Sequence, residues 1–194
     1  MQAARKEGYF DRRIGQRVLN VRQGDFMVAA DQDVVLQTVL GSCVALCLID
    51  PVAQVGGMNH FLLPDGPVGA GGNLDDASRY GSNAMELLIN AILAKGGART
   101  RFRGKLFGGG NVIRSSSLIG SKNADFAEEY LSAEKIPVDA SDLRGDRARK
   151  VMFSPTTGKA WVKLLEDTGA QEVFEKEQKI KPAAEPVESS VELF

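Results

Sequence analysis

Cys43 and His60 are the two residues of this chain whose types could together perform nucleophilic catalysis. A thiol with an ordinary pKa near ~8.5 is only a few per cent thiolate at neutral pH, and an adjacent imidazole can take its proton. Because His60 is the single histidine of the sequence, any imidazole acid–base chemistry must use it. The pair predicts attack by a thiolate on a carbonyl carbon.

The strands predicted around this pair bring it together. Apolar runs at 43–50 and 55–63 are separated by a short turn at 51–54, which is typical of a hairpin. If the runs pair around that turn, Cys43 and His60 are diagonal neighbours on one face, with Cβ atoms roughly 7 Å apart or less. A slip of one residue would put them on opposite faces, so the chemistry depends on this register.

The residues before Cys43 favour a second catalytic element. Gly41 and Ser42 precede it, and glycine allows a sharp turn that exposes successive backbone N–H groups to a developing oxyanion. The residues predicted to hold the oxyanion or position the substrate are Gly41, Ser42, Asn59, Gly108 and Gly109.

The same residues also fit a purely structural interpretation. Cys43 and Cys47 could be small buried apolar residues, and His60 a hydrogen-bonded strand residue. Packing is the better explanation for Cys47, which lies deeper in its apolar run. No metal site is predicted, because two cysteines and one histidine lack a fourth ligand and CxxC spacing. A disulfide between the two cysteines is excluded geometrically if they lie in one strand.

Composition restricts the class of protein. The chain has 194 residues, of which 43% are hydrophobic, and 24 Lys+Arg balance 25 Asp+Glu, as in one soluble domain. This balance argues against a broad nucleic-acid surface. No apolar run approaches the roughly 20 residues of a membrane span, and the N-terminus lacks the apolar core of a secretory signal, so we expect a cytoplasmic protein without membrane insertion.

Patterning along the chain predicts one domain with two appendages. Residues 1–16 are predicted as a flexible lead-in, 17–166 as the domain, and 167–194 as an acidic, disordered tail. Helices are expected at 78–95 and 123–135. Strands are expected in short runs after Arg17 and then at 43–50, 55–63, 102–107, 136–143, 150–153 and 159–165. The predicted fold class is α/β, a layered sandwich of mixed or antiparallel sheet with packed helices.

Several longer motifs occur in a fixed order along residues 17–165. They are TVLGSCVALCLIDP, VGGMNHFLLPD, RYGSNAMELLINAIL, RFRGKLFGGGNV, GSKNADFAEEYLSAEKIPV and DLRGDRARKVMFSPTTGKAWVKLL. In this combination the sequence resembles the chemoreceptor glutamine deamidases, the CheD family of bacterial and archaeal chemotaxis.

The resemblance implies a specific reaction. It places the family's nucleophile on Cys43, its general base on His60 and its third catalytic residue on Thr38. The implied activity is hydrolysis of glutamine side-chain amides on the cytoplasmic helices of chemoreceptors, through a thioester and without a cofactor. It also implies a CheC-type phosphatase as a partner and a fold similar to that of Cys–His toxin deamidases.

Other interpretations stay open at this point. The chain could be a non-catalytic chemotaxis adaptor that binds a receptor or a phosphatase, or a thiol-dependent methylesterase or amidase. The glycines at 108–110 could end a strand or admit a receptor helix, and the basic residues alternating over 99–105 could be a solvated face or attract an acidic helix. The last residues, 191–194, could be a frayed terminus or a docking motif.

Overall fold

Two five-stranded β-sheets lie face to face, and two helices cover the outer face of one of them. The computed structural model describes residues 8–63, 74–112 and 119–166. The strands are β1 (Gly8–Asp11), β2 (Gln16–Asn20), β3 (Phe26–Ala29), β4 (Val34–Leu40), β5 (Val44–Asp50), β6 (Val55–Asn59), β7 (Arg103–Gly108), β8 (Val138–Leu143), β9 (Arg149–Phe153) and β10 (Ala160–Leu164). The helices are α1 (Leu74–Leu93), α2 (Ile119–Ala133) and a short 3-10 helix (Arg99–Arg101).

The two sheets are both mixed. Sheet 1 has the order β1-β2-β4-β9-β10 and sheet 2 the order β3-β6-β5-β7-β8. The pairs β2/β4 and β7/β8 are parallel, and the other pairs are antiparallel. The predicted layered α/β sandwich is confirmed. None of the helices in the described ranges is both long and apolar enough to cross a membrane.

Strand β5 is the centre of the molecule, and all seven of its residues are buried. One set of alternate side chains, including Leu46, packs with α1 and α2. The other set, including Cys47, packs against sheet 1 beside Leu36 and Phe153. Burial on both faces is why this segment is a continuous apolar run in the sequence instead of an alternating one.

The predicted hairpin register is confirmed. Asp50 lies opposite Val55, and the same register continues beyond β6 through a bridge between Val44 and Phe61. Formal pairing in β6 ends earlier than predicted, at Asn59.

Pairing of β6 with β5 is interrupted at Asn59, whose side-chain Oδ1 takes the Leu46 N–H (2.8 Å). The His60 N–H donates to the Asp25 carbonyl oxygen (3.0 Å), and the His60 carbonyl accepts from Gly24 N–H (2.7 Å). The backbone of His60 is therefore held by the loop between β2 and β3, on the side away from β5. Cys43 belongs to the cluster between the sheets. Because side chains alternate along each strand, the confirmed register places the His60 side chain on the same face as Cys43.

The turn of this hairpin is fixed by Asp50, whose side chain is 0% exposed. Its carboxylate accepts from Val52 N–H (2.9 Å), Ala53 N–H (3.0 Å) and Ala98 N–H (2.8 Å). It also forms an ion pair with Arg101 (2.6 Å). Burial by itself would raise the pKa of Asp50, but these donors together hold that pKa well below its usual range. One buried carboxylate thus fastens the β5–β6 turn to the segment that leads into β7.

The prediction of a flexible lead-in over 1–16 is wrong for the part that the structure describes. Residues 8–11 form β1, which pairs antiparallel with β2. Gly15, at φ +66°, lies in the connecting turn, and the Asp11 carboxylate accepts from Arg13 N–H (2.9 Å). Arg12 and Arg13, two of the charged residues of this segment, lie in that turn. Residues 1–7 and the predicted tail, with its terminal 191–194 motif, lie outside the described residues.

The basic residues at 99–105 do not all lie in one strand. Residues 99–101 form the 3-10 helix, and β7 begins only at Arg103. Three arginines have carboxylate partners within the protein: Arg99 with Glu86 and Glu134, Arg101 with Asp50, and Arg103 with Asp139. Charge neutralised in this way is less able to attract an acidic helix.

Candidate active site

The structure brings Thr38 and His60 together across the two sheets. Thr38 lies on the inner face of β4, and its Oγ1 is 2.8 Å from His60 Nδ1. The same hydroxyl donates to the Val21 carbonyl oxygen, at 2.8 Å. A hydroxyl has one proton and a carbonyl can only accept, so Oγ1 must accept from Nδ1–H. This bonding pattern assigns the proton of neutral His60 to Nδ1 and leaves the Nε2 lone pair unprotonated.

His60 Nε2 is buried and carries an available lone pair. The residue is 5% exposed, and Nε2 has no hydrogen-bond partner among the described residues. Burial lowers the pKa of His60 to about 4, so the imidazole is neutral at pH 7. A buried polar atom without a partner is costly, and such exceptions in native proteins call for an explanation such as catalysis.

Cys43 lies at the end of the loop that joins the two sheets, between β4 and β5, and is 0% exposed. Three hydrogen bonds hold the backbone of this loop. The Gly41 carbonyl accepts from Gly110 N–H (2.8 Å), the Cys43 carbonyl from Gly109 N–H (2.8 Å), and the Ser42 carbonyl from Asn123 Nδ2 (3.0 Å). We refer to residues 41–43 as the nucleophile loop.

Gly108 and Gly109 support this loop from the end of β7. Gly108 has φ +108°, and a Cβ atom there would lie 2.2 Å from the Cys43 carbonyl oxygen. The Gly109 N–H already donates to that same oxygen. In this conformation the glycines therefore fix the backbone of Cys43, and Gly109 N–H is not a free oxyanion donor. Gly41 and Ser42, in contrast to these two glycines, lie within the nucleophile loop, directly before Cys43.

The side chain of Asn59 points away from those of Thr38 and His60. Its Oδ1 accepts from Leu46 N–H (2.8 Å), and its Nδ2 donates to the Ala84 carbonyl (3.2 Å). The side chain thus points to the helix face of sheet 2, opposite to that of His60, and ties β6 to β5 and α1. These contacts explain a buried asparagine without a direct role toward substrate.

Cys47 lies in a packing environment, as expected. It is opposite Met58 in the hairpin, is 0% exposed, and burial raises the pKa of its thiol. Within residues 8–63, 74–112 and 119–166, no group of three or more His, Cys, Asp or Glu side chains could hold a metal ion.

Two contributors to the site were missed by sequence reasoning. The Val21 carbonyl, which orients the Thr38 hydroxyl, is a backbone group and has no side-chain signal. Asn123 was assigned to the start of a helix, and its only signal was its place within the GSKNADF motif. Helix α2 begins earlier than predicted, at Ile119, so Asn123 lies in its second turn and is buried.

Comparison with known proteins identifies the family of the chain. The family model described as CheD chemotactic sensory transduction matches residues 62–164. A Rhodopseudomonas palustris protein is 46% identical over 188 residues, which cover 96% of this chain and 88% of that protein. The chain belongs to the CheD family. An Agrobacterium fabrum CheD is 46% identical over 176 residues, covering 91% of this chain and 96% of the relative. Both relatives are named probable chemoreceptor glutamine deamidases.

Solved structures give more distant similarities. A Neisseria meningitidis protein of the DUF152 family has a TM-score of 0.41 and 11% identity, covering 69% of this chain and 64% of its own. The Bacillus licheniformis protein YfiH has a TM-score of 0.40 and 13% identity, covering 66% of this chain and 60% of its own.

Proposed function

We propose that this CheD protein is a hydrolase that converts glutamine side chains of chemoreceptors to glutamate, with release of ammonia. The observation that carries the proposal is the Thr38–His60 hydrogen bond, which leaves a buried, unprotonated Nε2 on the face that Cys43 also occupies. The names of the CheD relatives support glutamine on a chemoreceptor as the substrate.

The first half of the reaction forms a thioester. His60 Nε2 takes the proton of the Cys43 thiol, and the thiolate attacks the glutamine side-chain carbonyl carbon. The carbonyl π electrons move to the oxygen, which becomes the oxyanion of a tetrahedral intermediate. When this intermediate collapses, the carbon–nitrogen bond breaks, and the proton on Nε2 passes to the leaving nitrogen to give ammonia. Throughout, Thr38 Oγ1 accepts from Nδ1–H and keeps the ring oriented.

The second half hydrolyses the thioester. Neutral His60 takes a proton from a water molecule, whose oxygen attacks the thioester carbon. The carbon–sulfur bond then breaks, the proton returns from Nε2 to the Cys43 sulfur, and the product is a glutamic acid side chain that ionises at neutral pH. This cycle needs no cofactor. It changes a neutral side chain on the receptor into a carboxylate.

Backbone N–H groups of the nucleophile loop are the proposed oxyanion donors. Glycine at position 41 allows the sharp turn between β4 and β5, and the loop carbonyls are all bonded on the side of Gly109, Gly110 and Asn123. A trans peptide directs its N–H opposite to its C=O. The N–H of Cys43 therefore points away from Asn123.

The expected partners are the cytoplasmic helices of chemoreceptors, which would place the reaction in the cytoplasm. A CheC-type phosphatase remains a prediction from the family resemblance. The similarity of the fold to Cys–His toxin deamidases likewise remains a prediction.

Intact-mass analysis of a chemoreceptor cytoplasmic fragment incubated with the protein tests this function. Conversion of Gln to Glu replaces NH₂ by OH and adds about one mass unit per site, which tandem spectra locate. The Cys47→Ala variant should match the wild type, whereas Cys43→Ala should give no shift. Binding with no mass change would favour the adaptor interpretation, and loss of a methyl ester from a methylated fragment would favour a methylesterase.

A further inference from the structure

Asn123 of α2 joins the two chain segments that carry the proposed catalytic pair. Its Nδ2 donates to the Ser42 carbonyl (3.0 Å), and its Oδ1 accepts from Leu63 N–H (2.8 Å). The residue is 0% exposed. Because Leu63 N–H can only donate and the Ser42 carbonyl can only accept, the orientation of the amide is fixed by its partners.

The bond to Ser42 acts directly on Cys43. The Ser42 carbonyl and the Cys43 N–H belong to one planar trans peptide and point in opposite directions. Holding that carbonyl therefore sets the direction of the N–H. A hydrogen bond to the carbonyl also polarises the peptide, which makes its N–H a stronger donor. On the other side of Cys43, its own carbonyl accepts from Gly109 N–H, so both peptides flanking the nucleophile are anchored.

The bond to Leu63 acts on the His60 segment. Between them, Phe61 exchanges two backbone hydrogen bonds with Val44, at 2.9 and 3.0 Å. This bridge and the Asn123 amide hold the segment beside the nucleophile loop at two successive points. Two adjacent links thus set the separation of Cys43 from His60: the backbone bridge at Phe61 and the Asn123 side chain.

The close approach of α2 makes this contact possible. Gly120 lies in the first turn of α2, and a Cβ atom there would be 2.6 Å from the carbonyl oxygens of both Gly109 and Gly110. Glycine at that position allows the helix to rest directly on the backbone after β7. Asn123 follows three residues later, on the same side of the helix, and so reaches the nucleophile loop.

We propose that Asn123 is a positioning residue for glutamine deamidation, which fixes the nucleophile loop against the His60 segment and so sets the backbone of Cys43 relative to the His60 ring. This inference rests on the proposed function. Asn123 is buried behind the loop and is not assigned any contact with substrate. Its loss is therefore expected to lower kcat and to leave KM nearly unchanged.

Steady-state deamidation of a receptor cytoplasmic fragment by Asn123 variants tests the proposal. Asn123→Ala should lower kcat by about 10²-fold, as expected when an oxyanion donor or a reacting group is misplaced, with KM changed by less than about threefold. The matched control is Leu131→Val, at a buried position of the same helix that packs in the helix-facing core. It should lower the Tm and keep kcat, because Leu131 packs in the helix-facing core beside Gly104 of β7.

Asn123→Asp gives a readout that a purely structural role would not produce. At neutral pH its carboxylate can accept from Leu63 N–H but cannot donate to the Ser42 carbonyl. At lower pH the protonated carboxyl has both a donor and an acceptor, like the amide. The ratio of variant to wild-type kcat should therefore rise as pH falls, measured where thermal unfolding shows both proteins folded. This nearly isosteric variant also serves if Asn123→Ala does not unfold cooperatively.

The outcomes separate the two proposals. Conversion of glutamine by the wild type, with unchanged kcat in the folded Asn123 variants or a pH-independent ratio for Asn123→Asp, would overturn the positioning role alone. Absence of conversion by the wild type would overturn the proposed function and this inference with it.

Discussion

At the scale of single residues, the feature that matters most is the proton on His60 Nδ1, because it leaves Nε2 as the ring nitrogen with an available lone pair. The protein directs the Thr38 hydroxyl to a backbone carbonyl, and so obliges it to accept from His60 Nδ1. Sequence reasoning proposed Cys43, His60 and Thr38 as site residues, because a thiol, an imidazole and a family resemblance can all be recognised in the sequence. It could not identify the Val21 carbonyl, because every residue has a backbone carbonyl and the sequence does not show which one is used.

Replacement of Thr38 tests this orientation directly. Thr38→Val keeps the shape of the side chain but removes the acceptor for Nδ1–H, so the ring loses its fixed tautomer. We expect kcat for deamidation to fall on the order of 10²-fold. Thr38→Ser, which keeps the hydroxyl, is the matched control and should stay within a few-fold of wild type. Equal activity in the two variants would show that the hydrogen bond has no catalytic role.

The pH dependence of stability tests the burial of His60. Its pKa is about 4 in the folded protein and near 6.5 in an unfolded chain, so the unfolded state binds more protons between these values. The contribution of neutral His60 to the free energy of unfolding is therefore complete above about pH 6.5. It is lost as the pH falls toward 4, by about 3 kcal/mol in total.

The measurement compares chemical denaturation of wild type and His60→Gln from pH 7 to pH 4. Other groups, such as Asp50, titrate in both proteins and cancel in the difference. The free energy of unfolding of the wild type should fall by about 3 kcal/mol more than that of the variant. Parallel curves would show that His60 titrates normally in the folded state.

Among the elements, the β5–β6 hairpin was the most predictable and the β7 end the least. Two apolar runs around a four-residue turn determine a register, and a wrong register would expose one face of a strand that is buried on both. The strand β1 was missed because it is short and is followed by the charged residues Arg12 and Arg13, which resemble a disordered segment. The support that the glycines after β7 give to Cys43 depends on a contact between distant segments, which local patterning does not contain.

The glycine at the end of β7 gives a prediction at this scale. Gly108→Ala would place a Cβ atom 2.2 Å from the Cys43 carbonyl oxygen, in addition to the strain of φ +108°. Gly96→Ala is the matched control, since Gly96 has φ +93° with nothing within 4 Å of the added atom. Both variants should lose about 1–2 kcal/mol from backbone strain.

Only Gly108→Ala should also displace the nucleophile loop. We expect it to lower the deamidation rate by about 10²-fold or more, with a larger loss of stability than the control, whereas Gly96→Ala keeps normal activity. Thermal unfolding and the deamidation rate are measured for both. A Gly108→Ala variant as active as Gly96→Ala would contradict the support assigned to the end of β7.

For the whole molecule, the proposed site depends on both sheets. Cys43 and His60 belong to segments flanking strands of sheet 2, whereas Thr38 belongs to sheet 1, and α2 supports the nucleophile loop from the far side. The pattern of apolar runs and helices in the sequence predicted the layered α/β fold class. Contacts between layers, such as Thr38 to His60 and Asn123 to Ser42, join residues far apart in sequence, and without an alignment no pattern predicts them.

The final residues of the chain give a prediction about the whole protein. The described structure ends at Glu166, after β10, and the remaining sequence is rich in Glu with few large apolar residues. A chain ending at residue 168 should therefore unfold cooperatively at an unchanged Tm and keep its deamidation rate on a receptor fragment. Loss of cooperative unfolding would place the tail in the core. Slower turnover with an intact fold would favour a docking role for residues 191–194.

The central claim is that Cys43 and His60 act as one catalytic unit on glutamine. The most direct test is the rate of glutamate formation in a receptor fragment, followed by mass spectrometry, for Cys43→Ala, His60→Ala and the double variant. Each single change should remove activity by several powers of ten, and the double variant should be little worse than either, because members of one catalytic unit are not additive. Near-normal conversion by His60→Ala, or glutamate formation by Cys43→Ala, would contradict the account.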